Sequence, residues 1–166
     1  VDTIMRLLSA GDHVVMAEDM YGGTFRLTSK ALTRFGITFS YVDMRDVKNV
    51  EAALQPNTRM IYTETPTNPM MTITDLAAVA EIARANNAYM VVDNTFASPY
   101  FQRPLELGAH IVVHSATKYL GGHSDLVSGI VTTNDAEVAE QLKFLQNAVG
   151  AVPGPFECWL LLRSSK

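Results

Sequence analysis

Residues 89–95 read Tyr-Met-Val-Val-Asp-Asn-Thr, and residues 110–118 read His-Ile-Val-Val-His-Ser-Ala-Thr-Lys. Each stretch is a continuous apolar run that ends in polar residues, which is typical of a strand buried on both faces of a parallel sheet. Asp93 and the loop of residues 115–118 are therefore expected at the carboxyl ends of two strands. Ligands of open α/β sheets bind at that edge, so these residues are the first candidates for a functional site.

Other short β-type runs alternate with helical stretches on both sides of these two segments. Further strands are predicted at residues 13–16, 37–41, 59–63 and 127–132. Helices are predicted at residues 24–35 and 47–54, from Thr74 or Asp75 through residue 83, from Asp135 through residue 145, and around residues 159–161. The alternation favours an α/β fold in which helices flank a mostly parallel central sheet.

Length and composition fit one globular domain over residues 1–166. The chain is 48% hydrophobic and 18% charged, and its net charge is −4. The sequence has no cluster of basic residues that would attract nucleic acid, and its apolar runs are too short to cross a bilayer. Neither a nucleic acid nor a membrane is therefore expected as a partner. The single Cys158 cannot form a disulfide within the chain, and a cytoplasmic setting is expected.

The first ten residues resemble the last turns of an amphipathic helix that Gly11 stops, because apolar side chains recur at Ile4, Leu7 and Leu8. A chain that begins within a helix is expected to be part of a longer protein.

Three loops after predicted strands carry chemically useful side chains. Residues 64–69 read Glu-Thr-Pro-Thr-Asn-Pro, and the other two loops begin at Asp93 and at His114. An aspartate can keep a heteroaromatic nitrogen protonated, a lysine can form an imine, and hydroxyl groups can hold a phosphate. These are the needs of a site for pyridoxal 5'-phosphate.

The chain also resembles a known family, the cystathionine γ-synthase, cystathionine γ-lyase and methionine γ-lyase group of pyridoxal phosphate enzymes. The stretches that carry the resemblance are residues 11–15 (Gly-Asp-His-Val-Val), 21–24 (Tyr-Gly-Gly-Thr), 64–69, 92–96 (Val-Asp-Asn-Thr-Phe) and 114–123 (His-Ser-Ala-Thr-Lys-Tyr-Leu-Gly-Gly-His). The resemblance implies the cofactor-binding large domain of fold type I, without the family's N-terminal arm and C-terminal small domain. It also implies a sulfur amino acid substrate and a homotetramer built from dimers that share their active sites.

The resemblance assigns the central chemistry to Lys118, Asp93 and Tyr21. Lys118 is expected to form the Schiff base with the cofactor and to move the substrate's Cα proton, although a surface lysine would look the same in isolation. Asp93 is expected to pair with the protonated ring nitrogen, and the alternative is that it caps a helix. Tyr21 is expected to stack on the ring and to move a proton, and the alternative is simple packing.

Four further residues are expected to bind the cofactor by the same resemblance. The hydroxyl groups of Ser115 and Thr117 are expected to hold the phosphate, and Asn68 to bond the phenolate oxygen. Thr95 is expected under the ring. For Ser115, Thr117 and Asn68 the alternative is an ordinary role in a turn.

Within the family, the expected activity is that of a cystathionine γ-lyase, and the alternative is a cystathionine γ-synthase. Gly23 stands where methionine γ-lyases tend to carry cysteine, which argues against that third branch. Two other classes stay open, a nicotinamide-dependent dehydrogenase and a folded piece without activity. The absence of a Gly-rich dinucleotide fingerprint after the first strand counts against the dehydrogenase.

A metal site is not expected. His110, His114 and His123 lie close in sequence, but no cysteine or carboxylate completes a ligand set at the usual spacing. Ordinary hydrogen-bonded histidines are predicted instead.

Overall fold

The computed structural model describes residues 1–165, so that Lys166, the end of the predicted domain, lies outside the described residues. The centre of the fold is a six-stranded sheet. The strands are β1 (His13–Ala17), β2 (Thr38–Val42), β3 (Thr58–Glu64), β4 (Tyr89–Asp93), β5 (Ile111–Ser115) and β6 (Gly129–Thr133). They lie in the order β2-β1-β3-β4-β5-β6. The first five are parallel and β6 is antiparallel to β5, which confirms the predicted mostly parallel sheet.

Helices precede, connect and follow the strands. They are α1 (Asp2–Met5), α2 (Gly22–Arg26), α3 (Val47–Ala52), α4 (Leu76–Ala85), α5 (Ser98–Phe101), α6 (Ala136–Val149) and α7 (Pro155–Ser164). Asp75 and Asp135 cap α4 and α6 as predicted, each accepting backbone N–H groups of the first turn. Of the helices in residues 1–165, none combines the length and the apolar character needed to cross a bilayer.

The predicted helix over residues 24–35 is wrong in its detail. After α2 the chain forms a π turn at Leu27–Ala31 and then a 3-10 turn at Leu32–Phe35. The Thr28 hydroxyl donates to the carbonyl of Thr24 at 3.1 Å and also bonds the Tyr41 hydroxyl at 2.8 Å. A hydroxyl group that donates to the carbonyl four residues earlier in this way competes with the regular hydrogen bonds of a helix.

The predicted helix over the first ten residues is shorter than expected, because α1 ends at Met5. The chain then turns, and the backbone N–H of Ser9 donates to the carboxylate of Asp12 at 2.7 Å. Gly11 has a φ of +94°, a conformation that glycine adopts without strain. Ile4 and Met5 are fully buried, so this short helix is anchored by its apolar face.

The core has two layers because strand side chains alternate between the faces of the sheet. One face buries Tyr62 and Val91 together with residues of α1 and α6. The other face buries Val92 and Val112 against α4. Strands buried on both faces explain the continuous apolar runs of β4 and β5.

The topology creates a ligand crevice. From β1 the chain moves outward to β2 and then crosses back to β3 on the other side of β1. Such a switch in direction opens a gap at the carboxyl ends of the two central strands. The loops that follow β1, β3, β4 and β5 therefore meet at one edge of the sheet.

Candidate active site

The strand register brings the predicted site residues to this edge. Glu64, the last residue of β3, is the register partner of Asp93, the last residue of β4. Asp93 in turn pairs with Val113 of β5, two residues before Ser115. Tyr21 follows β1, and its backbone N–H donates to a Glu64 carboxylate oxygen. Four separate segments of the sequence thus converge on one site.

Asp93 is the buried anchor of the site. Its side chain is 8% exposed, and its Oδ1 accepts the backbone N–H and the hydroxyl of Thr95 at 3.1 and 2.5 Å. Its Oδ2 accepts the hydroxyl of Tyr62 at 3.3 Å. The next helix begins only at Ser98, so the alternative that Asp93 caps a helix is wrong.

The chemistry of Asp93 fits a protonated ring nitrogen. A carboxylate can accept about four hydrogen bonds, and Asp93 receives three here. Within residues 1–165, Asp93 forms no ion pair with a lysine, arginine or histidine. A buried carboxylate without a cation is costly, and a cationic N–H donor removes that cost.

Tyr62 is a site residue that the sequence analysis missed. Its side chain is fully buried, and burial together with the nearby charges of Asp93 and Glu64 raises its pKa well above the usual value. The phenol therefore stays protonated and donates to Asp93. A tyrosine inside an apolar strand suggests only core packing, but its position two residues before Glu64 puts both side chains on one face.

Thr95 connects β4 with the loop after β5. Its hydroxyl donates to Asp93 and accepts the backbone N–H of Ser115 at 2.8 Å. The resemblance assigned Thr95 to the underside of the cofactor ring. The structure adds that Thr95 fixes the start of the Ser115–Lys118 loop relative to Asp93.

The Ser115–Lys118 loop is a tight turn that exposes the lysine. The Lys118 backbone N–H donates to the carbonyl of Ser115 at 3.1 Å, and the Lys118 side chain is exposed at this edge. The Thr117 hydroxyl donates to the carbonyl of Ser128 at 3.2 Å and accepts its N–H at 3.0 Å. A phosphate contact from Thr117 therefore requires this hydroxyl to rotate away from Ser128, whereas Ser115 is only partly buried and is not committed in this way.

Tyr21 and Asn68 lie on opposite sides of Glu64. The backbone N–H of Tyr21 donates to Oε2 of Glu64 at 2.9 Å, and that of Asn68 donates to Oε1 at 2.8 Å. Burial, with the charges of Asp93 and Asp19, raises the pKa of Glu64 to about 7 against the pull of the two amides. The Tyr21 ring is half exposed and lies across Gly23, where an added Cβ would come within 2.3 Å of Cε1.

The three histidines have separate surroundings in the structure. His110 accepts the backbone N–H of Met90 at 2.9 Å, and His123 bonds the carbonyl of Gly121 at 2.9 Å, as predicted. At His114 the prediction of an ordinary hydrogen bond is not met at Nδ1, which is buried without a partner in the described part of the chain. Burial lowers the pKa of His114, so this ring is neutral. Residues 1–165 contain no group of three or more metal-binding side chains suitably placed for an ion.

The site is an open edge rather than an enclosed cavity. A groove of about 730 Å³ lies elsewhere, between β6 and α6, and contains none of the predicted site residues. The convergent groups at the carboxyl edge are a buried carboxylate, an exposed lysine, hydroxyl groups and an exposed tyrosine ring. This set of groups has the chemistry that pyridoxal phosphate requires, since that cofactor carries an aldehyde, a basic ring nitrogen and a phosphate.

Comparison with known proteins also indicates a pyridoxal phosphate enzyme. The family model described as "Cys/Met metabolism PLP-dependent enzyme" matches residues 1–166. The chain therefore belongs to this family, whose cofactor is pyridoxal phosphate.

Individual relatives carry three different activity names. The chain is 55% identical over 164 residues to a probable cystathionine gamma-synthase of Herpetosiphon aurantiacus, and 51% identical over 166 residues to a cystathionine beta-lyase of Lactococcus lactis subsp. cremoris. A crystal structure of cystathionine gamma-lyase from Lactobacillus plantarum, complexed with L-serine, is 52% identical, with a TM-score of 0.97 over 99% of this chain. The chain spans 51%, 44% and 43% of these three proteins, so it corresponds to about half of their length.

Proposed function

We propose that the protein containing this chain is a cystathionine γ-lyase. It would convert cystathionine and water to cysteine, 2-oxobutanoate and ammonia. The observation that most supports pyridoxal phosphate chemistry is Asp93, a buried carboxylate bonded only by neutral donors, in a strand adjacent to the one that leads into the lysine loop. The γ-lyase branch is supported by the 52% identity to the Lactobacillus plantarum enzyme of that name. Asp93 would bind the ring nitrogen of the cofactor, and Lys118 would move the Cα proton of the substrate.

Pyridoxal phosphate, when bound, supplies an aldehyde that condenses with amines and a ring that withdraws electrons from the substrate's Cα. Asp93 would hold a proton on the ring nitrogen, which keeps the ring electron-poor. Tyr62 and Thr95 would hold Asp93 in place through three hydrogen bonds. Asn68 would bond the phenolate oxygen of the cofactor.

Lys118 would bond the aldehyde carbon of the cofactor through its ε-amine, and would move protons at the substrate's Cα. It follows the half-buried Ser115 by one turn, and its side chain extends from the edge of the sheet. The hydroxyl groups of Ser115 and Thr117, with the backbone N–H groups of the turn, would bind the phosphate. Tyr21 would cover the ring and assist the departure of the group at Cγ by moving a proton.

A cystathionine γ-synthase is the second candidate, because the relative at 55% identity carries that name. Such an enzyme joins cysteine to an O-acylhomoserine instead of splitting cystathionine. A methionine γ-lyase is less favoured, since Gly23 stands at the position where the resemblance expects cysteine, and the Tyr21 ring occupies the space of a Cβ there. The β-lyase name of the Lactococcus relative adds a further reaction to be measured.

We also propose that the whole protein works in the cytoplasm as a homotetramer of dimers that share active sites. The side chains of Tyr100 and Phe101 support the assembly, because they are 84% and 82% exposed and adjacent. Light scattering of the purified full-length protein tests the tetramer, and a monomeric mass would contradict it.

Product analysis separates the three reactions. The full-length protein is incubated with L-cystathionine, and 2-oxobutanoate and pyruvate are quantified separately. Mainly 2-oxobutanoate with cysteine supports the γ-lyase, whereas pyruvate with homocysteine indicates a β-lyase. Formation of cystathionine from O-acetylhomoserine and cysteine, with little cleavage of cystathionine, would assign the γ-synthase instead.

A further inference from the structure

Glu64 is a buried carboxylate at the site that the roles described so far leave without a function. It ends β3, is 5% exposed, and forms no ion pair with a basic side chain within residues 1–165. The strand register places it beside Asp93, so that two carboxylates occupy one face of the sheet at the same edge. Such an arrangement is costly unless each carboxylate is hydrogen-bonded, paired or protonated.

Each oxygen of Glu64 accepts the backbone N–H of a different loop. Oε2 accepts that of Tyr21, which lies 43 residues upstream after β1, at 2.9 Å. Oε1 accepts that of Asn68, in the loop after β3, at 2.8 Å. The two loops that carry Tyr21 and Asn68 are therefore tied to a single buried group.

The side chains themselves have few other restraints. The Tyr21 ring is 52% exposed, and Asn68 is only partly buried. Their positions therefore depend on where the backbone holds them. A carboxylate is the side chain that can accept from both amides at once. A glutamine of the same shape would turn an NH2 group toward one of the two N–H donors.

We propose that Glu64 is a positioning residue that sets Tyr21 and Asn68 jointly at the cofactor by binding both of their backbone amides. This inference rests on the proposed function, since it uses the cofactor contacts assigned to Tyr21 and Asn68. Loss of the double acceptor displaces both loops together. Cofactor affinity and the environment of the cofactor then change, even though Glu64 touches neither cofactor nor substrate.

The charged and titratable groups near Glu64 lie on three parts of the chain. Asp93 lies beside it on β4, Asp19 lies in the loop after β1, and the neutral phenol of Tyr62 lies two residues earlier on β3. Both aspartates disfavour the charged form of Glu64, and only the two amides favour it. The two amide contacts therefore oppose the charges of Asp93 and Asp19 and stabilise the carboxylate form of Glu64.

The test uses the full-length protein and its Glu64→Gln variant. The apoprotein is titrated with pyridoxal phosphate, and the visible circular dichroism of the bound cofactor is recorded. We expect the dissociation constant to rise by about tenfold or more, the visible signal to change, and kcat to fall more than KM rises. The Glu51→Gln control, on the exposed face of α3, should match the wild type in all of these measurements.

A double-mutant cycle tests whether Glu64 acts through its partner. In an Asn68→Ala background, Glu64→Gln should cost clearly less affinity than it does in the wild type, because one of its two targets is already lost. Fully additive effects, or an unchanged dissociation constant and visible spectrum in Glu64→Gln, would overturn the positioning role. If Glu64→Gln does not fold, Glu64→Asp is decisive. It keeps the charge but is too short to reach both amides, so wild-type cofactor affinity in that variant would contradict the proposal.

The two proposals fail in different ways. A wild-type protein that takes up no pyridoxal phosphate contradicts the proposed function, and the role of Glu64 falls with it. A wild-type protein that binds the cofactor, with variants that bind it equally well, contradicts only the role of Glu64.

Discussion

The phenolic oxygen of Tyr62 lies 3.3 Å from Oδ2 of Asp93, and both side chains are buried at the carboxyl edge of the sheet. The phenol is a neutral donor whose pKa is raised well above its usual value by burial, so it stays protonated and donates to the carboxylate. Oδ2 of Asp93 accepts this single hydrogen bond, so it has room to accept a second one.

This contact predicts the effect of Tyr62→Phe. The variant loses one hydrogen bond to a buried charge, so we expect the free energy of unfolding to fall by about 1–2 kcal/mol. We also expect a several-fold fall in kcat, because Asp93 loses part of its support. Denaturation and steady-state kinetics of the full-length protein measure both effects. Tyr89→Phe, at the start of β4 and away from the site, serves as the control, and equal behaviour of the two variants would contradict the role of Tyr62.

Asp93→Asn keeps the shape of the side chain but removes its charge. We expect kcat to fall by about 100-fold or more, because an amide does not stabilise a protonated ring nitrogen as a carboxylate does. Cofactor retention should change far less. Asp75→Asn is a matched control, since asparagine also caps a helix well and α4 should be unaffected. Full activity of Asp93→Asn would mean that Asp93 only stabilises its turn.

Gly23→Ala separates stability from activity. Gly23 lies in α2, where alanine is the better helix former by up to about 1 kcal/mol, so the variant should be at least as stable as the wild type. Its Cβ would displace the Tyr21 ring, and kcat should fall. In the Gly22→Ala control the new Cβ would lie 3.7 Å from the Arg26 guanidinium, an ordinary van der Waals contact. Equal kcat values for the two variants would show that the position of the Tyr21 ring is unimportant.

The pKa of Glu64, raised from 4.5 to about 7, predicts a specific pH dependence of stability. Between these values the folded protein keeps a proton on Glu64 that the unfolded chain has released. Stability therefore falls as the pH rises from about 4.5 to about 7, and Glu64 adds no further change above that range. The measurement is the free energy of unfolding of the wild type minus that of Glu64→Gln across pH 5–8. A difference that is constant over this range would contradict the raised pKa.

The location of Asp93 and Lys118 at the carboxyl edge could be predicted from the sequence, because Asp93 ends and Lys118 follows a strand with an unmistakable apolar run. Residues that end such strands meet at one edge of any parallel sheet, whatever the order of the strands. The same argument predicted that the hydroxyl groups of Ser115 and Thr117 lie at this edge of the sheet. The bond between Thr117 and Ser128 did not, because it depends on the return of the chain toward β6.

The role of Glu64 could not be predicted in the same way. Its bond to Tyr21 exists only because β1 and β3 are neighbours in the sheet, and that order is not visible in local patterns. Tyr62 lies within the strand predicted at residues 59–63, and nothing in that local pattern indicates that its hydroxyl donates to Asp93. The π turn after α2 likewise depends on a distant contact, between Thr28 and Tyr41.

The central claim is that Lys118 holds the cofactor, and chemical trapping tests it most directly. Borohydride reduces a carbon–nitrogen double bond to a stable single bond, so it fixes the cofactor to whichever lysine binds it. The full-length protein is reduced, digested and analysed by peptide mass spectrometry, with a Lys118→Ala variant treated in parallel. We predict the added mass on the peptide that contains Lys118, and no visible cofactor band in the Lys118→Ala variant, which should still fold because this side chain is exposed. A label on Lys30, Lys48 or Lys143 instead, or an unchanged spectrum in the variant, would contradict the assignment.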